Sequence, residues 1–250
     1  MSKPAVVLLS GGLDSTTCLA LALEQGFEVT ALSFDYHQRH RVELQAARRV
    51  LEHYGVSRQL VFDVGLFREI GGSALTDPSL AVPQHRSPDE RGDGIPLTYV
   101  PARNLVFLSY ALGVAETLSA EDLFIGVNAV DYSGYPDCRP EYLKAFEAMA
   151  KLATKAAVER RSIEVRGLLV DLPKAAIMKL ALELGVEPSE TVSCYQPDAE
   201  GRACGACDAC QIRKKGSRKR IWTIPRGIIS ELRAGFDRIC ILSSSVLTGR

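Results

Sequence analysis

Two groups of residues have the types and spacing to do chemistry. The first is Ser10-Gly11-Gly12-Leu13-Asp14-Ser15. Paired glycines let a backbone turn tightly and approach a bound group without a clashing Cβ. The string follows an apolar run that begins at Ala5, and it leads into a helical pattern. A helix start offers free N–H groups and the positive end of the peptide dipole, which favour an anion. Ser15, Thr16 and Thr17 add hydroxyl donors, so the loop suits phosphate or pyrophosphate. It lacks a Walker lysine and is not Gly-x-Gly-x-x-Gly. Taken alone, the same string is equally a glycine turn capped by Asp14 or Ser15. The second group is Cys194, Cys204, Cys207 and Cys210, in the pattern C-x9-C-x2-C-x2-C. Gly205, Ala206 and Ala209 separate the last three and let the chain wrap one ion. Four thiolates suit Zn2+ in a closed, structural site with no position open for catalysis. An iron–sulfur cluster is the rival reading, and a set of buried free thiols the bland one.

Three further strings are rich in polar groups. Asp35 and Arg39, within Phe34-Asp35-Tyr36-His37-Gln38-Arg39-His40, follow a strand and could hold a ribose or a carboxylate. A solvated helix start is the alternative for them. Arg103 opens a helix after Val100-Pro101-Ala102. The stretch from Asp131 to Pro140 carries Asp131, Ser133, Tyr135 and Asp137, groups able to stack on and hydrogen-bond a flat polar heterocycle. Two rings near Gly and Pro can equally just pack a loop. Lys174, at a helix start after a strand, is a weaker candidate. No residue stands out as a general base.

The elements that would position these groups alternate two periods. Strands are expected at Ala5–Ser10, Val29–Phe34, Gln59–Val64, Leu123–Val127 and Ile163–Val170. Helices are expected at Thr16–Gln25, Arg39–Tyr54, Asn104–Leu118, Glu141–Arg160 and Pro173–Leu184. This β-α alternation predicts a doubly wound, Rossmann-like parallel α/β sheet. Gly71 to Tyr99 shows no steady period and reads as a long loop that either carries function or is mobile. Three segments follow: a nucleotide and substrate domain over 1–188, the four-cysteine element over 189–216, and an atypical tail over 217–250.

Composition agrees with this reading. The 250 residues are 46% hydrophobic and 24% charged, which excludes disordered and fibrous classes. Thirty basic side chains balance thirty acidic ones, which disfavours a globally cationic nucleic-acid binder. No apolar stretch reaches membrane length, and four of the seven cysteines crowd together at metal-ligand spacing instead of spreading as a disulfide framework. A cytoplasmic location is expected.

Read together, the strings resemble one family. SGGLDSTT at Ser10, FDYHQRH at Phe34, DGIPLTYVPARN at Asp93, GVNAVDYSGYPDCRPEY at Gly126, ETVSCY at Glu190 and CGACDACQIRKKG at Cys204 occur in order. They are similar to the 7-cyano-7-deazaguanine synthases of queuosine biosynthesis, which are PP-loop ATPases of the adenine nucleotide alpha hydrolase-like fold. The resemblance implies an ATP-dependent carbon–nitrogen ligase. Such an enzyme adenylates a 7-carboxy-7-deazaguanine with ATP and Mg2+, and installs nitrogen from ammonia to reach a nitrile. It places ATP among Leu9, Ser10, Gly11, Gly12, Leu13, Asp14, Ser15, Thr16, Thr17, Cys18 and Leu19. Asp14, Ser15 and Arg103 are then catalytic, and Asp35, Arg39, Arg103, Asp131, Ser133, Tyr135 and Asp137 orient the substrate. Replacing Asp14 is expected to abolish turnover and spare the fold. The partners implied are small molecules; a membrane is excluded, nucleic acid is not expected, and a homodimer is left open. Alternatives are a PP-loop enzyme that adenylates a tRNA base, and a non-catalytic zinc-knuckle RNA binder using the cations of Arg213 to Arg220.

Two departures stand out. The family usually has glycine where this chain has His37 and Ala102. The tail after Gly216 also breaks the family pattern. With permitted codons, a neighbouring reading frame over Gly216 to Ile229 would restore an ending of the family type, which suggests a frameshift near Gly216 and Ser217.

Overall fold

A computed structural model describes residues 2–39, 41–86, 94–130 and 134–218. Asp131, Ser133 and the tail beyond 218 lie outside the described residues. Five strands form one parallel sheet: β1 (Pro4–Leu8), β2 (Glu28–Asp35), β3 (Gln59–Asp63), β4 (Asp122–Phe124) and β5 (Glu164–Arg166). Their order is β3-β2-β1-β4-β5. The chain winds outward from β1 to β3, then returns to β1's other side for β4 and β5. This reversal leaves a crevice at the carboxyl ends of β1 and β4, where open α/β sheets bind ligands.

The helices are α1 (Leu13–Glu24), α2 (Val42–His53), α3 (Leu66–Ile70), α4 (Arg103–Leu118), α5 (Pro140–Ala153), α6 (Lys155–Val158), α7 (Lys174–Glu183) and α8 (Asp208–Arg218). Successive residues of β1 serve opposite faces, as the strand period requires. Val6 and Leu8 join one core layer with Leu108, Ala111, Leu112 and Ala115 of α4. Ala5 and Val7 join the other with Leu19 and Ala22 of α1 and Ala47, Val50 and Leu51 of α2. Helices therefore cover both faces, and the doubly wound expectation holds. Helix α1 is buried nearly all round because it is covered twice. Its second side, with Leu13, Cys18 and Leu21, packs on Ile177, Leu180 and Ala181 of α7.

Two boundaries and one element differ most plainly from the sequence reading. The strand expected over Ile163–Val170 is confined to Glu164–Arg166. Gly167 then passes so close to α5 that an added Cβ would lie 2.4 Å from Leu143 Cδ1. The helix expected over Glu141–Arg160 breaks at Thr154, where the backbone is extended (φ −114°, ψ 150°). The Thr154 hydroxyl accepts a hydrogen bond from the Ala157 N–H at 3.2 Å and so starts α6 as a separate turn. Helix α8, which begins inside the cysteine cluster, has no counterpart in the expected elements.

Candidate active site

The turn from Ser10 to Gly12 joins β1 to α1 at the sheet crevice. Gly11 has φ +79°, and a Cβ there would meet the Glu43 carbonyl oxygen at 2.4 Å and the Ala47 nitrogen at 2.6 Å. Glycine is thus required both for the left-handed turn and for the close approach of α2. Gly12 is extended and leaves the start of α1 without a side-chain cap. The Ser10 and Ser15 hydroxyls lie 3.0 Å apart, and the Ser15 hydroxyl donates to the Gly12 carbonyl at 3.1 Å. Ser10, Gly12, Leu13, Asp14 and Ser15 all border one cavity of about 240 Å3. An uncapped helix start opening into a cavity is suited to an anion.

Asp14 is not free. Lys174 Nζ, at the start of α7, donates to both of its carboxylate oxygens at 2.7 and 2.6 Å. Lys174 is 7% exposed, so the pair is sheltered at the junction of two helix starts. Gly126, just after β4, closes the loop from the sheet side. A Cβ there would lie 2.7 Å from the Ser15 nitrogen.

The opposite wall is aromatic and polar. The Arg103 guanidinium carbon sits 5.7 Å from the centre of the Tyr36 ring. The Phe34 and Phe107 rings stack nearby with centroids 4.0 Å apart. Thr98 Oγ1 and the Tyr135 hydroxyl are 2.7 Å apart, and the Tyr135 and Tyr195 hydroxyls 3.2 Å apart. Burial pushes the Tyr36 phenol up to about 12, with the Glu43 charge adding to it. Burial works against the Arg103 charge, but Tyr36 and Asp137 more than offset it and its pKa is raised. Glu43, on the first turn of α2, also lines the cavity, and burial pushes its carboxyl up to about 7. Perturbed groups gathered around a cavity are a mark of function.

The four clustered cysteines come together as the spacing requires. Their Sγ atoms all lie within 4.8 Å of one another, with Cys194 and Cys207 3.9 Å apart and Cys204 and Cys210 4.0 Å apart. Backbone N–H groups of Tyr195 and Gln196 donate to Cys207 and Cys194 at 3.5 and 3.3 Å, and those of Ala206 and Cys207 to Cys204 at 3.5 and 3.4 Å. Such donors stabilise thiolates. Hydrogen bonding from Cys194 holds the Cys207 thiol well below the ordinary range, while the same contact raises Cys194. The set could hold one metal ion.

The family model described as "Queuosine biosynthesis protein QueC" matches residues 4–220. The chain belongs to the QueC family. It is 57% identical over 215 residues to the 7-cyano-7-deazaguanine synthase of Saccharophagus degradans, covering 86% of this chain and 93% of that protein. The synthase of Methylobacillus flagellatus is 59% identical over 218 residues, covering 86% and 92%. That of Hydrogenovibrio crunogenus is 58% identical over 214 residues, covering 86% and 90%.

The two positions at which the resemblance leads one to expect glycine are both strained. His37 has φ +57° and Ala102 φ +55°, in the left-handed region. His37 Nε2 lies 3.0 Å from Asp63 Oδ1, and Ala102 is exposed beside the start of α4.

The expected site residues divide into two sets. Leu9, Ser10, Gly12, Leu13, Asp14, Ser15, Arg39, Arg103 and Tyr135 line the cavity. Gly11 shapes the loop from behind. Thr17, Cys18 and Leu19 do not reach the cavity. The Thr17 hydroxyl bonds the Leu13 carbonyl, and Cys18 and Leu19 are fully buried in the core, because the second turn of α1 is covered by the sheet and α7. Thr16 is also buried, and among the described residues its hydroxyl has no hydrogen-bond partner. Asp35 takes the His37 N–H at 3.1 Å and pairs with Arg41 at 3.1 Å, so it steadies the turn after β2. Asp137 is buried and accepts the Asn104 N–H at 3.0 Å, which makes it the cap of α4. The Arg39 guanidinium is committed to the carbonyls of Ala74, Asp77 and Leu80, tying down the long loop. Arg213 is tied to Pro188, Thr191 and Ser193, which removes one cation from the proposed RNA surface. Glu43 and Gly126 were missed as site residues. No helix among the described residues is long and apolar enough to cross a membrane.

Proposed function

We propose that this chain is an ATP-dependent ligase that makes 7-cyano-7-deazaguanine from 7-carboxy-7-deazaguanine and ammonia, in the cytoplasm. The observation that carries this reading is one cavity shared by the uncapped glycine loop and the aromatic wall of Tyr36, Arg103 and Tyr135, in a chain whose relatives of that name match over at least nine-tenths of their length.

A carboxylate resists attack by ammonia because its leaving group would be oxide. Adenylation supplies a better one. The N–H groups at the start of α1 would hold the leaving pyrophosphate, with Mg2+ arriving on the nucleotide and neutralising part of its charge. Ser10 and Ser15 would add hydroxyl donors, and Lys174 fixes Asp14 at the loop. Arg103, charged and poised over Tyr36, would orient the substrate carboxylate while Tyr135 hydrogen-bonds the heterocycle. Ammonia displaces adenylate to give the amide; a second activation adenylates the amide oxygen, which leaves with AMP as the nitrogen gives up its two protons, leaving the nitrile.

The four thiolates fit structural Zn2+. A tetrahedral ion with Zn–S bonds of about 2.3 Å sets neighbouring sulfurs about 3.8 Å apart, close to the separations seen for two cysteine pairs. An iron–sulfur cluster would interpose several atoms and hold the thiolates farther apart.

The test is incubation with ATP, 7-carboxy-7-deazaguanine and ammonium chloride, following AMP, pyrophosphate and the nitrile. All three products are expected only when the acid is present. ATP consumption that requires tRNA instead of the acid would sink the reading.

A further inference from the structure

Two carboxylates line the cavity, and they are used differently. Asp14 is held by both of its oxygens on Lys174. Glu43 faces the cavity, and among the described residues no hydrogen bond or ion pair reaches its carboxylate. Its own backbone lies against Gly11 of the phosphate loop, while its charge is felt by Arg103 and Tyr36 on the opposite wall. An unpartnered carboxylate at this position contributes nothing evident to the fold.

The amination step needs such a group. When ammonia adds to the activated carboxyl carbon, the adduct nitrogen is positively charged. It must lose a proton before adenylate leaves, or ammonia is expelled instead. The other titratable groups of the cavity are poor acceptors. Burial keeps Tyr36, Tyr135 and Cys138 protonated. Lys174 is committed to Asp14, Cys194 belongs to the four-cysteine cluster, and the Tyr195 hydroxyl is paired with that of Tyr135, while Arg39 and Arg103 are permanent cations. No histidine lines the cavity among the described residues.

We propose that Glu43 accepts the proton released when ammonia attacks the activated carboxyl group. This rests on the ligase reading above. The nitrogen lone pair forms the C–N bond, and the proton passes from nitrogen to a Glu43 carboxylate oxygen. The C–O bond to adenylate then breaks, and its electron pair leaves on AMP. A carboxyl pushed up to about 7 takes such a proton near neutrality and returns it to water between turnovers.

The experiment separates the two half-reactions in the full-length protein. ATP–pyrophosphate exchange dependent on 7-carboxy-7-deazaguanine reports activation without ammonia. Amide formation from ammonium chloride reports the second step. Glu43→Gln is expected to keep exchange within about threefold, with the acid's KM unchanged. It should slow amide formation by about 100-fold or more, the usual worth of a positioned base. At a fixed concentration of free ammonia, the fall in wild-type amide formation below pH 7 should disappear in this variant, and Glu43→Asp should restore both part of the rate and the pH dependence. A parallel loss of exchange and amination, or a tenfold rise in the acid's KM, would make Glu43 a substrate-holding residue and overturn the proposal. A wild-type protein with no acid-dependent exchange would instead refute the ligase reading itself.

Discussion

Gly126→Ala tests whether the phosphate loop is held in place by contact with the sheet. A methyl group on Gly126 would lie 2.7 Å from the Ser15 nitrogen and 2.8 Å from the Asp14 carbonyl carbon and the Ser15 Cα. Ordinary contact begins near 3.4 Å, so the two segments must part by about 0.7 Å. Neither side can yield freely. β4 is paired on both edges, to β1 and β5, and the start of α1 is packed on α7. Overpacking of this kind costs about 1–3 kcal/mol, which for a chain of this size lowers Tm by about 2–12 °C. Displacing binding groups by most of an ångström costs on the order of 10–100-fold in rate. The assay is acid-dependent ATP–pyrophosphate exchange beside a urea melt, with Gly113→Ala as the control. Gly113 lies within α4, and nothing would come within 4 Å of an added Cβ. The control should therefore gain about 0.5–1 kcal/mol and leave exchange unchanged. Gly126→Ala with exchange within twofold of wild type and an unaltered melt would refute the argument that this contact sets the loop.

Ala102→Gly should stabilise the protein by about 0.5–1 kcal/mol, because relief of a left-handed L-residue outweighs the added chain entropy of glycine; a lower urea midpoint would contradict the φ of +55°. Asp14→Ala should lose activity, and it should also destabilise the fold by as much as about 3 kcal/mol, because it strands the sheltered Lys174 charge. This outcome differs from the expectation of a spared fold, and the urea series decides between them. Asp14→Ala/Lys174→Met should recover much of the stability in the same urea series and none of the exchange. Cys207→Ser, or prolonged chelation of the wild type, should lower Tm and release one equivalent of zinc per chain in a dye assay; a brown protein releasing iron would count against the zinc assignment.

The winding of the sheet was legible because its signal is periodic. Val6 and Leu8 alternate with Ala5 and Val7 across the two core layers, and the apolar stripe of α2 repeats at helical spacing. Boundaries set by a single side chain were not legible. Nothing in the apolar period of 141–160 marks Thr154 as a cap, and the close approach of Gly167, just past β5, to Leu143 of α5 is a contact between separate elements. The candidate site divides the same way. The glycine loop and the cysteine cluster are local in sequence and could be read directly. Asp35 and Asp137 have the right chemistry, but their partners are Arg41, the His37 N–H and the Asn104 N–H, and such partners are known only once the chain is folded. Glu43 did leave a trace. It falls on the same helical face as Ala46, Ala47 and Val50, which are buried, and an acid inside an apolar stripe is a misfit that function can explain.

A chain of contacts joins the four-cysteine element to the glycine turn. Cys194 is a prospective metal ligand and also part of the cavity wall, with Ser193 and Tyr195 beside it. Arg213 of α8 reaches back from the cysteine cluster to the Thr191 carbonyl at 3.2 Å and the Ser193 hydroxyl at 3.0 Å. One residue along, the Val192 N–H donates to the Gly11 carbonyl at 2.9 Å. A closed four-thiolate site has no vacant position for chemistry, yet through this chain of contacts it fixes the back of the glycine turn. Loss of metal should therefore weaken nucleotide binding before the sheet unfolds, since the sheet core contains none of the four cysteines. If chelated protein bound nucleotide as tightly as untreated protein while melting at lower temperature, the two elements would be independent and the contacts through Val192 and Arg213 incidental.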